Sequence, residues 1–327
     1  MPEKLRIEAC SICQLACLYC PNPRGDFKNT PVGYGYLKAA DFEKIITDNP
    51  SVREIELSNY GEVFLNPDLV KILETADNHS ITITIANGTN LNTLSEEQIE
   101  ALVKYNVKHI NISIDGTTQD VYGIYRKRGD LGKILNNIQK INQCKANHNS
   151  IFPKLTWQFI AFPHNEHQME EAIKKAKELN MDFYVKKDWS GTTSKHIKAK
   201  EDLFCETPLD FCRQLVEFPQ INWNGEVLGC CINTTHTYGN VYSDNLDKIM
   251  TTENYQNNVN TILGKTFNPG SPCDKCGVFR KRIFYMNFGK YLKNQPGRTL
   301  LFLCKNNINV IYGIIKRYYK LKRAFIC

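Results

Sequence analysis

Residues 5–20 read LRIEACSICQLACLYC: Leu5, Ile7 and Ala9 alternate with Arg6, Glu8 and Cys10, and then come Cys13, Cys17 and Cys20. A period of two marks a strand, so the cysteine loop follows the strand directly. Three thiolates at C-x3-C-x2-C spacing can hold three irons of a [4Fe–4S] cluster and leave the fourth iron without a protein ligand. An open position of this kind keeps a metal site reactive. Cys10 leaves a second reading open, since C-x2-C-x3-C-x2-C could close a zinc site or a four-cysteine cluster. Against closure, Cys10 falls inside the expected strand, and the two knuckles of a zinc ribbon stand much further apart.

Outward from this loop, strand-like and helical runs alternate. Expected strands are 5–10, 54–58, 81–86, 109–114, 155–161 and 183–186, separated by expected helices at 39–47, 68–77, 96–104, 133–143 and 166–179. Six βα units imply an α/β fold with a parallel sheet, because parallel strands need crossover helices. An open sheet and a partial barrel both fit. The polar stretch 190–200 reads as a linker, and a hairpin is expected at 220–230 around Gly225.

The loop resembles the signature of the radical S-adenosylmethionine (SAM) superfamily, and further resemblances follow in order. Tyr19 occupies the aromatic position before the last cysteine, and Gly61-Glu62 after the second strand resembles the family's Gly-Glu motif. Asn87-Gly88-Thr89 follows the third strand, Ser113-Ile-Asp115-Gly116 ends the fourth, and Arg126 and Gln158 lie beyond. The resemblance implies a partial (β/α)6 TIM-like barrel whose cluster sits on Cys13, Cys17 and Cys20. It also implies SAM contacts at Tyr19, Gly61, Glu62, Asn87, Ser113, Asp115, Arg126 and Gln158. The implied chemistry is one-electron cleavage of SAM to a 5′-deoxyadenosyl radical that abstracts a substrate hydrogen.

Cys212, Cys230 and Cys273-Asp-Lys-Cys276 resemble the SPASM/twitch extension of the same superfamily. That resemblance implies one auxiliary [4Fe–4S] cluster on these four residues, with Cys231 or Cys205 as substitutes and a structural zinc site as the alternative. The expected division is a barrel at 1–190, a small iron–sulfur domain at 191–285 and a basic, helical tail at 286–327. The expected reaction is oxidation or epimerisation of a sugar, cyclitol or other small hydroxylated metabolite. A peptide maturase and a non-catalytic iron–sulfur or zinc scaffold are the alternatives. No acid or base is assigned.

Composition bounds the rest. The chain has 327 residues, 42% hydrophobic and 23% charged, enough for a full core. Its 13 cysteines are an odd number, and no apolar run follows Met1–Arg6, so metal ligation is expected rather than a secreted disulfide framework. The formal charge of +7 is uneven: from Lys275 onward there are 13 Lys and Arg residues and no acid. A basic amphipathic helix there could lie on an anionic membrane surface, whereas no recognition motif points to nucleic acid. A flavodoxin or ferredoxin is the expected reducing partner. The expected location is cytoplasmic, with peripheral attachment to the inner membrane face as a second option.

Overall fold

The computed structural model describes residues 2–186, 213–263, 265–266, 270–273 and 276. The chain divides into two compact units, Met1–Cys205 with Gln214–Tyr255, and Glu206–Arg213 with Gln256–Cys327.

The first unit is built on strands β1 (Lys4–Ile7), β2 (Glu54–Glu56), β3 (Thr82–Thr89), β4 (His109–Ser113), β5 (Lys154–Ile160), β6 (Asp182–Lys186) and β7 (Gln220–Ile221). They form one sheet in the order β6-β5-β4-β3-β2-β1-β7, and every pairing is parallel. From β1 to β6 the spatial order follows the chain without reversal. That is the arrangement of a (β/α) barrel, whereas a doubly wound sheet has a switch point where the order turns back. The α/β partial-barrel expectation holds, and β7 extends it by one strand.

The crossover helices are α1 (Ala39–Asp48), α2 (Leu69–Asn78), α3 (Glu96–Lys104), α4 (Gln119–Tyr125), α5 (Leu131–Asn147) and α6 (Met169–Glu178). Each long helix buries one face, and two of them, α3 and α5, also carry a side-chain cap at the start. Ser95 and Gln98 form a reciprocal capping box at α3. Asp130 accepts from the Lys133 N–H at α5, which buries Leu131, Ile134, Ile138 and Ile141. Neighbouring helices pack in sequence, α1 on α2, α2 on α3 and α3 on α5.

The register gives the sheet two different faces. One carries Leu5, Ile55, Ile83, Ile110, Ile112, Trp157 and Phe159, all buried, and α2 and α6 pack on this sheet. The other carries Arg6, Glu56, Thr84, Asn111, Ser113, Gln158, Tyr184 and Lys186. Several of its polar atoms are bonded to one another: His109 Nε2 and Thr156 Oγ1 lie 2.7 Å apart, and Thr84 Oγ1 donates to Glu56 at 2.7 Å.

Several expectations need correction. β1 stops at Ile7, so Cys10 lies beyond the strand, in an isolated antiparallel bridge with Tyr36. The 220–230 hairpin does turn back, through the bridge Ile221↔Val227 with Gly225 at φ 82°. Its first arm also pairs in parallel with β1, joining the main sheet. Helix α4 was not expected. Nor were the four-residue α7 (Gln214–Glu217) and α9 (Glu253–Ile262), whereas α8 (Leu246–Thr251) stands where the SPASM/twitch resemblance implies a short helix, over 246–250. The linker at 190–200 and the basic tail at 286–327 lie outside the described residues. Among the described residues, no helix is long and apolar enough to cross a membrane.

Candidate metal centre

The loop after β1 is pinned to the end of α4: Ala16 N–H donates to Lys127 O at 3.0 Å, and Leu18 N–H to Tyr125 O at 3.1 Å. Tyr19 takes a left-handed conformation (φ 57°), and the Cys20 N–H turns back to Leu18 O at 2.8 Å. Cys17 lies in an apolar cluster with Leu15, Tyr125, Ile160 and Phe162, and Cys13 and Cys20 pack on the same cluster. Burial pushes all three thiols above the ordinary range, and Cys17 and Cys20 raise Cys13 further by mutual repulsion. Opposing this at Cys17, the Arg126 guanidinium places Nη1 3.9 Å from Sγ. Three soft donors grouped in a dry cradle beside a cation suit an iron–sulfur cluster, and metal binding would offset the cost of ionising them.

Cys10 is held differently. It is fully buried, its Sγ donates to Ile12 O at 3.3 Å, and burial pushes it up to about 12.

Glu62, buried to 2% exposure, starts the short 3₁₀ turn after β2. One carboxylate oxygen accepts from Thr89 Oγ1, and the other from the Asn90 N–H at 2.8 Å and from Asn90 Nδ2. Asn90 Oδ1 accepts from Gln14 Nε2 at 2.8 Å, and Asn90 Nδ2 stands 3.9 Å from Cys13 Sγ. Asn90 therefore joins the Gly-Glu loop to the cysteine loop. Gly61 is needed because the carbonyl oxygens of Cys10 and Ile12 stand where a Cβ would project.

At the end of β4, Asp115 is fully buried and accepts from Arg126 Nε at 2.6 Å and from the Ile160 N–H at 2.6 Å. Ser113 Oγ accepts from Gln158 Nε2 at 2.9 Å, and Gln158 Oε1 accepts from Tyr184 Oη. Asn87 Nδ2 donates to Asn59 Oδ1 at 2.8 Å. Tyr19 is 52% exposed, with its ring 6.3 Å from those of Tyr125 and Phe162. Six of the eight residues singled out for SAM lie near or just beyond the C-terminal ends of β2 to β5, the end where barrel enzymes keep their chemistry; Arg126, the C-cap of α4, is joined to them through Asp115, and Tyr19 packs near Tyr125 in the cysteine loop.

Sequence reasoning missed several participants. Arg6 and Glu8 carried a usable signal, two charges within an apolar strand. Glu8 is buried and accepts from the Tyr60 and Gly61 N–H groups at 2.8 and 3.2 Å. Lys186 ends β6 on the same polar face; burial pushes it down to about 8, within the fields of Arg126, Asp115, Cys231 and Arg6. Asn90 gave no signal, because an asparagine after Asn-Gly-Thr reads as turn chemistry.

Of the second cysteine set, Cys230 belongs to the first unit, where its Sγ accepts from the Ile232 N–H at 3.4 Å. The neighbouring Cys231 thiol is held well below the ordinary range by its hydrogen bond with Cys230, then by Arg6. In the second unit, the Cys276 N–H donates to Cys273 O at 3.1 Å. Cys212 lies outside the described residues.

The family model for the Radical SAM superfamily matches residues 7–176, and that for SPASM, an iron–sulfur cluster-binding domain, matches residues 212–277. Among curated proteins, the GTP 3′,8-cyclase of Clostridium botulinum (strain Hall) is 27% identical over 138 residues, 42% of each chain. The probable GTP 3′,8-cyclase of Methanocaldococcus jannaschii is 28% identical over 145 residues, 42% of this chain and 45% of that one. The chain thus spans less than half the length of these relatives. Among solved structures, Streptococcus suis SuiB bound to S-adenosylmethionine superimposes with a TM-score of 0.62 at 16% identity, covering 85% of this chain and 71% of SuiB. At that identity the likeness is one of fold.

Proposed function

The chain belongs to the radical SAM superfamily and carries a SPASM domain, and from that premise we propose that it abstracts hydrogen from a small, oxygen-rich substrate. Its cofactors are S-adenosylmethionine and iron–sulfur clusters. In this reading Cys13, Cys17 and Cys20 hold the SAM-binding cluster, and Cys212, Cys230, Cys273 and Cys276 hold one auxiliary cluster. Bound there, the reduced cluster and SAM would supply the one-electron chemistry for hydrogen abstraction.

The chain's own residues orient and enclose these groups. Glu62 and Asn90 hold the Gly-Glu loop against the cysteine loop, fixing where the methionine amino group would sit. The Asp115–Arg126 pair keeps a guanidinium beside Cys17, where it also stands ready for the SAM carboxylate. Ser113, Gln158 and Asn87 offer polar atoms toward ribose, and Leu15, Tyr125 and Phe162 exclude water around Cys17.

The observation that carries the reading is this convergence of thiols, Glu62 and Asp115–Arg126 on one end of the sheet. The polar face beneath it supports the substrate class. Arg6, Asn111, Gln158, Tyr184 and Lys186 suit a hydroxylated or charged molecule better than a hydrocarbon. We place oxidation or epimerisation of a sugar, cyclitol or similar metabolite first among the reactions. The curated relatives' named substrate, GTP, is itself ribose-bearing. Anaerobic turnover with candidates deuterated at a carbinol carbon should move deuterium into 5′-deoxyadenosine. Transfer from peptide candidates alone would refute the substrate class while leaving the radical chemistry intact.

A further inference from the structure

Helices α3 and α5 pack on one another in the helical layer and bring together three donors of different chemistry. Glu100 comes from α3. Cys144 lies in the last turn of α5, and His148 is that helix's C-cap, four residues on and so on the same face. His148 Nε2 is 2.8 Å from Glu100 Oε1, and Cys144 Sγ donates to Glu100 Oε2 at 3.2 Å. The nitrogen, oxygen and sulfur atoms all lie within 4.8 Å of one another. Cys144 is 9% exposed, whereas the side chains of His148 and Glu100 are 41% and 54% exposed. A metal could therefore enter from solvent and meet a sheltered sulfur.

We propose that Glu100, Cys144 and His148 form a zinc site, independent of the iron–sulfur centres, that clips α3 to α5. Tetrahedral zinc takes sulfur at about 2.3 Å, imidazole nitrogen at about 2.0–2.1 Å and carboxylate oxygen at about 2.0–2.2 Å. Those bond lengths place neighbouring donors roughly 3.3–3.6 Å apart, so small outward rotations of the His148 and Glu100 side chains open the space. The donor set selects among cations: thiolate and imidazole disfavour magnesium and calcium, which take oxygen ligands. On binding, zinc replaces the thiol proton, which leaves to solvent, and forms Zn–S, Zn–N and Zn–O bonds with no change of oxidation state. Water takes the fourth position on the exposed side.

The test uses the full chain with its iron–sulfur clusters loaded, under anaerobic conditions, dialysed against buffered zinc. The wild type should retain about one more zinc ion per chain than the Cys144→Ser/His148→Gln double variant. Zinc-edge X-ray absorption should show a single sulfur among nitrogen and oxygen neighbours. SAM cleavage should be equal in the two proteins, because neither residue touches the SAM region. If the double variant does not fold, His148→Gln alone, changing an exposed side chain, should weaken zinc binding at least tenfold. Equal zinc uptake by wild type and variant, or an absorption spectrum without sulfur, overturns the proposal.

Discussion

Asp115 and Arg126 show how strongly single residues are committed to this centre. The carboxylate is fully buried and the guanidinium side chain is 13% exposed, so each depends on the other for its charge to be tolerated. Asp115→Asn leaves Arg126 buried without its counter-charge and should cost about 3–5 kcal/mol, read from the denaturant midpoint. A midpoint matching the wild type would show that water already compensates the cation. Glu8 makes a pH-dependent contribution of the opposite kind to an ordinary salt bridge. Burial lifts it from 4.5 to about 8, although the Tyr60 and Gly61 N–H groups and Arg6 pull the other way. The folded chain therefore keeps a proton that the unfolded chain releases, and this stability is complete below about pH 4.5 and is lost as pH rises toward 8. Glu8→Gln should flatten that decline, measured as denaturant midpoint against pH; an unchanged slope would place the proton elsewhere. Glu62 was legible as half of a Gly-Glu pair, but its partners were not. Thr89 and Asn90 reach it from another strand, and no spacing in the sequence encodes that meeting.

Elements were readable where their reasons are local. The strand-like runs, and Ser95 ahead of Glu96 and Glu97, announce β1 to β6 and α3 without help from tertiary structure. Helix α4 escaped because seven residues containing Gly123 carry too little periodicity to stand out. The place of β7 in the main sheet escaped for another reason: its residues read as a hairpin arm, and only the pairing with β1 joins them to the sheet. That pairing has a consequence for the loop that follows. Asn59 Nδ2 donates to Cys231 O at 3.0 Å, and Tyr60 Oη donates to Asn233 O at 2.7 Å. The segment leading into Gly61-Glu62 is thus tied to the loop carrying Cys230. Tyr60→Phe deletes one tie and should destabilise the chain by about 1–3 kcal/mol. It should also lower iron retention at the auxiliary centre more than at Cys13, Cys17 and Cys20, as followed by Mössbauer spectroscopy. Equal loss at both centres would mean that the tie serves general stability alone.

At the scale of the molecule, the sheet separates two jobs. Its apolar face takes the helices, and its polar face, unusual for a barrel interior, leaves a surface where hydrogen-bonding groups converge under the cysteine loop. The sequence displays this alternation in strands such as β4 and β5, but only the sequential strand order shows that all the polar positions share one side. The central claim is that Cys13, Cys17 and Cys20 hold a cluster with one iron open to SAM. The most direct measurement is release of 5′-deoxyadenosine by the reconstituted, chemically reduced chain supplied with SAM. The wild type should release it and Cys17→Ala should not, with the auxiliary iron still in place. Equal release from both proteins, or none from a fully loaded wild type, would contradict the account.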